Sequence, residues 1–282
     1  MKKLYCLIIL VLIFNASNLF SQISVKTERK FPGKWFSKPT IDFSYGLNET
    51  KLSGFNTGIA QTGSLELKLG FTYLNNSKYG KNILKYRDGF IFLSNSSNSL
   101  YNNSDVNKIN SSMWRFGFGS KSAYGIKLGS VSIIPYNSNS FVWSEFKYDT
   151  LNVNSSVDYS ALNEFSNSFR YGSISEAGIN FQITPGFSIQ PKFEISDIYP
   201  RHLFWKQSVS TMIEFSGLFL IESFSKRIMK SSPVAGTFVN FILTNAYEYG
   251  FYQLRKENVR WPYSGGVPLY VSTFKLGMTF TF

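Results

Sequence analysis

The chain has 282 residues, 43% hydrophobic and only 16% charged, with 28 Phe, 17 Tyr, 5 Trp and a formal net charge of +12. Aromatic residues suit pleated surfaces, so composition leans towards sheet, and Ser and Asn carry polarity that charge usually supplies. A single cysteine, Cys6, and a single histidine, His202, exclude a disulfide framework and argue against a zinc centre, which gathers three or four N, S or O ligands.

The first residues read as an export signal. Lys2 and Lys3 precede the apolar run "LYCLIILVLIF", then polar "NASN". That run is too short for a transmembrane helix, which needs about 20 residues. Residues 1–21 are expected to be removed near Ser21–Gln22, leaving 22–38 as an N-terminal segment. Cys6 leaves with the signal, so the mature chain has no thiol. Loss of Lys2 and Lys3 lowers the net charge from +12 to +10. The basic balance of an exported protein points to anionic headgroups, lipopolysaccharide or an anion-favouring lumen rather than nucleic acid, with plain solubility as an equal alternative.

A period of two then recurs along the chain. "TIDFSYGL" places Ile41, Phe43, Tyr45 and Leu47 on one face. "GSLELKLGFTYL" sets Leu65, Leu67, Leu69, Phe71 and Tyr73 against Glu66, Lys68, Gly70 and Thr72. "DGFIFLS" follows, then "SMWRFGFGS" with Trp114, Phe116 and Phe118 opposite Arg115, Gly117 and Gly119. "AYGIKLGSVSII" and "SFVWSEFKY" flank "PYNSNS", which reads as a turn at 135–140. "SEAGINFQI" and "GFSIQPKFEIS" form a hairpin about Pro185–Gly186, and "PLYVSTFKLGMTFTF" closes the sequence. Strands therefore start near 39, 63, 84, 112, 124, 140, 172, 186 and 268. Nine is odd, and an even count needs a tenth strand within 203–222 or before 39. Ser/Asn-rich stretches such as "SNSSNSLYNNSDVNKINSS" read as solvated loops.

The span 203–257 breaks the pattern. "SVSTMIEFSGLFLI" fits a strand or a helix equally. "SSPVAGTFVNFILTNAYEYGFYQLRKE" favours a helix, with Ser232 as N-cap, Pro233 in the first turn, and Val234, Phe238, Phe241, Asn245, Tyr249 and Tyr252 at helical spacing. Such a hairpin could plug a lumen, lie along a mouth, or rest at a membrane interface.

The ending "KLGMTFTF" resembles the C-terminal signal of Gram-negative outer-membrane barrels, with Lys275, Gly277, Phe280 and Phe282 in the motif's places. The Asn, Lys and Phe bias and the "FSQ" region also look like Bacteroidota proteins. The resemblance implies an all-β transmembrane β-barrel over 39–282 in the cell outer membrane. Ten antiparallel strands are expected, within a range of eight to twelve, with a helical insertion at about 203–257. It further implies contact with outer-membrane lipids, lipopolysaccharide and the barrel-assembly machinery, and leaves 200–262 as a surface for other envelope proteins.

Chemistry is sparse. His202 is the natural general base at neutral pH, and Glu176, Glu194 and Arg201 could approach it at a barrel mouth. Outer-membrane phospholipases and lipid A deacylases carry local motifs around their His and Ser that this sequence lacks. The reading favoured is a non-enzymatic structural, narrow-channel or envelope-complex role without cofactor or metal, with a His202-dependent lipid hydrolase as the competitor. Trp114, Phe118, Trp143, Trp205, Trp261 and Tyr263 are expected at the membrane interface, with a sugar- or ligand-binding face as the other option.

Overall fold

The computed structural model describes residues 38–55, 58–101, 108–150, 156–166, 168–201, 204–256, 258, 260–263 and 265–282. The expected export signal, nearly all of the segment up to residue 38, and His202 lie outside these. Eight antiparallel strands close into a barrel: β1 (Lys38–Leu52), β2 (Thr62–Asn76), β3 (Ile83–Ser97), β4 (Ser111–Leu128), β5 (Val131–Tyr148), β6 (Arg170–Thr184), β7 (Phe187–Ile198) and β8 (Leu269–Thr281). A short helix α1 (Ser156–Asn163) follows β5. Two long helices, α2 (Phe204–Ser231) and α3 (Pro233–Arg255), stand between β7 and β8.

The expectation of ten strands is corrected to eight. No turn occurs at 135–140. β4 continues to Leu128, turns at Gly129–Ser130 with Gly129 at φ +65°, and β5 runs unbroken through "PYNSNS". The three alternating segments near 112, 124 and 140 are thus two strands, because the polar run inside β5 has the composition of a loop and the true turn lies within the apolar run 123–134. Residues 204–222, where the sequence fits a strand or a helix, are helix, and the barrel closes with eight strands.

Each strand alternates, and the sense is inverted relative to a soluble protein. Phe43, Leu69, Phe71, Ile91, Leu93 and Phe274 point outward with 44–62% exposure, while Asp42, Glu66, Lys68, Arg115, Glu194 and Lys275 point inward at 0–5%. Strands of 12–18 residues are ample for a tilted crossing of the hydrocarbon layer, which takes about 9–11. In lipid every backbone polar group needs an internal partner, and closure removes the free edges. The seam forms by β8 pairing with β1 from Thr40↔Thr281 to Leu52↔Leu269.

Connections are unequal at the two rims. β2–β3, β4–β5 and β6–β7 are joined by short turns, and β1 starts and β8 ends at that same rim. The four longer connections, including the α2–α3 hairpin, leave from the other rim. Inside this long-loop rim Leu162 and Phe165 pack on Ile109, Phe146, Ile198 and Leu269 as an apolar lid. A second inward cluster of Leu84, Tyr86, Ala123, Ile134 and Tyr136 closes the short-turn end.

The hairpin lies neither in the lumen nor across a mouth. It runs down the outside of the barrel wall. Near its base Gln207 Nε2 donates to the Tyr199 hydroxyl at 2.8 Å, and Tyr252 packs edge-on against Tyr270. At its tip Met229 joins Ile83 and Tyr124, and Pro233 sits against Gly80 in the β2–β3 turn. At 1.5 Å per residue the 28 residues of α2 span about 42 Å, enough for the wall's height. The two helices cross closely because Gly217 leaves room for the Tyr247 ring, whose hydroxyl donates to the Ile213 carbonyl at 3.3 Å. No described helix is long and apolar enough to cross a membrane by its own hydropathy.

Candidate functional site: a cleft between the barrel wall and a helical hairpin

Two polar regions exist, and they differ in kind. The first fills the lumen. Inward positions of β1, β2, β3, β6 and β7 bring Asp42, Glu66, Asp88, Glu176 and Glu194, and β2, β4, β7 and β8 bring Lys68, Arg115, Lys121, Lys192 and Lys275. Five negative and five positive groups neutralise each other across the barrel. Arg115 on β4 reaches Glu194 on β7 at 2.7 Å, Lys68 reaches Glu176 at 2.7 Å, and Lys121 reaches Asp42 at 3.2 Å. Lys275 bridges Glu66 at 2.7 Å and Glu194 at 2.5 Å, and Lys192 sits between Asp42 and Glu66. Tyr136 donates to Glu176 and Gln190, and Gly178 lies beneath its ring, where any Cβ would collide at 2.7 Å.

This network relocates several residues singled out in the sequence. Glu176 and Glu194 are sealed in the lumen with cations on their oxygens, so neither is free to orient a histidine at the mouth. Arg201 is exposed, and its carbonyl accepts a hydrogen bond from Arg260. Glu66, Glu176 and Glu194 lie close enough together for a metal. Lys68, Lys192, Lys275 and Arg115 already occupy that charge. Of the C-terminal motif, Lys275 is part of the network, and Gly277 faces Asp42 and Ser44. Phe280 packs outward on Phe187, and Phe282 donates its N–H to the Pro39 carbonyl at 3.0 Å. Trp114 and Phe118 point outward from β4, and Trp143 stacks on Phe116. Trp205 is 72% exposed at the start of α2, Trp261 packs against Phe251, and Tyr263 is exposed in the loop after α3.

The second polar region is on the outside. Where β1–β3 and β8 present mainly apolar side chains, β4–β7 carry a stripe of outward polar ones. Ser122 pairs with Asn137, Ser120 with Asn139, Asn139 with Ser175, and Ser173 with Asp197 across successive strands. The hairpin covers this stripe and turns its own polar side to it. Gln207, Thr211, Glu214, Leu218 and Glu222 recur at helical spacing on α2, as do Phe241, Asn245, Glu248, Tyr252 and Arg255 on α3. The opposite side of α2 exposes Trp205, Phe219, Leu220 and Phe224. Asn137 donates to Asn245 at 2.8 Å and Asn139 to Glu248 at 3.0 Å, pinning α3 to β5. Arg255 joins Glu214 at 2.8 Å and Ser210 at 3.0 Å, tying α3 to α2.

The contact is incomplete. A cleft of about 850 Å³ remains between wall and hairpin, in the size range of small-molecule sites. Phe118, Phe141, Ile195, Phe215 and Leu218 give it an apolar side, and the Ser, Asn and acidic groups give it a polar one. The sequence reading missed this site, although "PYNSNS" held its signal. Asn137 and Asn139 alternate with Tyr136 and Ser138, so the run is a strand polar on both faces.

No protein-family model and no curated protein sequence matches the chain. Solved structures similar to it include Neisserial surface protein A, at TM-score 0.43 and 8% identity over 86% of this chain and 97% of that one. The attachment invasion locus protein of Yersinia pestis gives TM-score 0.36 and 10% identity over 87% and 99%. The transport unit of the autotransporter AIDA-I from Escherichia coli gives 0.26 and 12% over 66% and 60%. What locates the protein is its own architecture: a closed, even-stranded antiparallel barrel, greasy outside and charged inside, is an outer-membrane protein.

Proposed function

We propose that this outer-membrane barrel is a non-conducting binding protein whose working surface is the hairpin-covered outer wall. The observation that supports this most is the lumen, bridged from wall to wall by the ion pairs Arg115–Glu194, Lys68–Glu176 and Lys121–Asp42 and capped at both ends by apolar clusters. Eight-stranded barrels have interiors just wide enough for side chains to fill. A diffusing solute would have to separate buried, paired charges. The bare sector, β1–β3 and β8, meets lipid and lipopolysaccharide, and β8 would present its motif to the assembly machinery during insertion.

In the competing reading Glu176 or Glu194 would orient His202 as the base. Glu176 and Glu194 are committed to the lumen, so the residues named for that chemistry do not supply it.

The test is planar-bilayer recording of the full-length protein. Silence at symmetric molar salt is expected, and stable unitary steps from the wild type would overturn the reading. Lipid turnover by purified protein, lost in His202→Ala, would overturn it in favour of the hydrolase.

A further inference from the structure

We infer that the cleft between α2–α3 and the outer faces of β4–β7 holds a membrane amphiphile whose headgroup carries an ammonium group. Anything entering from the side comes from the bilayer, because the hairpin is fastened to the wall above and below the opening. Tyr252–Tyr270 and Gln207–Tyr199 close it towards the long-loop rim, and Met229 with Ile83 and Tyr124 closes it at the other.

The lining has two unlike parts. Phe118, Phe141, Ile195, Phe215 and Leu218 offer an acyl chain a continuous apolar bed. The polar part is acidic and under-satisfied. Asp197 faces outward from β7 beneath the hairpin, only 7% exposed, and its Oδ1 has no hydrogen-bond partner. Gln207 spends its Nε2 on Tyr199, leaving Oε1 equally without a donor. Of the four carboxylates lining the cleft, Glu214 is paired with Arg255 and Glu222 with Lys226. Among the described residues, Asp197 and Glu248 make no ion pair. Each buried acceptor without a donor forfeits its hydration, and these two differ from the unpaired atoms of the lumen in opening onto the cleft. Two acceptors and surplus carboxyl groups beside an apolar bed describe the complement of a donor-rich, positively charged head on a hydrocarbon tail. An anionic headgroup would meet repulsion there, and a quaternary amine would bring no N–H.

This inference rests on the wall's lying in the bilayer, and the experiment separates the two. Full-length protein is purified in detergent, stripped of lipid, and equilibrated with equimolar phosphatidylethanolamine, phosphatidylcholine and phosphatidylglycerol. Bound species are then counted by native mass spectrometry. Heat-modifiable gel migration and membrane retention after carbonate washing report the barrel independently of any ligand. One phosphatidylethanolamine per chain is expected, with Asp197→Asn weakening retention about tenfold. Thr244→Trp, which fills the cleft from α3, should abolish it while gel migration is unchanged. Retention indifferent to headgroup, led by phosphatidylglycerol, absent altogether, or insensitive to both substitutions overturns the inference and leaves the barrel standing.

Discussion

The lumen and the cleft are both polar, share β4–β7 as a wall, and are opposite in how their charges balance. In the lumen ten charges match five to five, and lysines such as Lys275 and Lys192 each touch two carboxylates. In the cleft acids outnumber cations, and Asp197 and Gln207 keep unpaired oxygens. Matched charges leave no charge for a visitor to complete, although Asp88 Oδ1 and several hydroxyls in the lumen keep unused hydrogen-bonding capacity. Surplus carboxyl groups that open onto a cleft do leave room for added donors. Polarity alone does not mark a functional site; here unbalanced charge beside open space does.

The largest effect should come from breaking the lumen. Lys275→Met takes one cation from both Glu66 and Glu194, which keep Lys68, Lys192 and Arg115, and removing one partner of a buried pair costs about 3–5 kcal/mol. Urea unfolding followed by gel migration would read it, and a loss below 1 kcal/mol would mean that water reaches the network. Next, Gly178→Leu drives a side chain into the Tyr136 ring, and overpacking of this kind costs about 1–3 kcal/mol by the same measurement. The cleft should respond more gently. Asn139→Leu removes the hydrogen bond to Glu248, a loss of about 0.6 kcal/mol for a typical intramembrane bond. Amide exchange should then quicken in α3 while β5 is unchanged. Smallest of all, Asp197→Asn should shift the stability of the lipid-stripped protein by no more than about 0.5 kcal/mol, because no partner of Oδ1 is lost. A destabilisation as large as that of Lys275→Met would erase the distinction between the two regions.

Much of the barrel was legible from alternation. Leu65 to Tyr73 against Glu66 to Thr72 announces one wet face and one greasy face, and only the direction of the greasy face needed the structure. The strand count failed at one place for one reason. "PYNSNS" has the composition of a turn because its outward side chains, Asn137 and Asn139, are shielded by a hairpin a hundred residues away. Local sequence cannot show a cover that comes from elsewhere in the chain. The charged lumen was half visible, since Arg115, Glu66 and Lys68 alternate with hydrophobes, but which carboxylate meets which amine depends on closure. The cleft was the least legible. Its polar positions on α2 and α3 are diluted by hydrophobes that point away from the wall, so no contiguous motif forms.

The bend at Ser231–Pro233 has a compartmental meaning. It belongs to a connection that leaves from one rim, yet it packs at the other, beside Gly80 and Ile83. The polypeptide thus traverses the sheet's height ten times, eight as strands and twice as helix. A single loop thereby has its stems on one side of the bilayer and its apex on the other. Displacing those stems at one rim would move a surface exposed at the other.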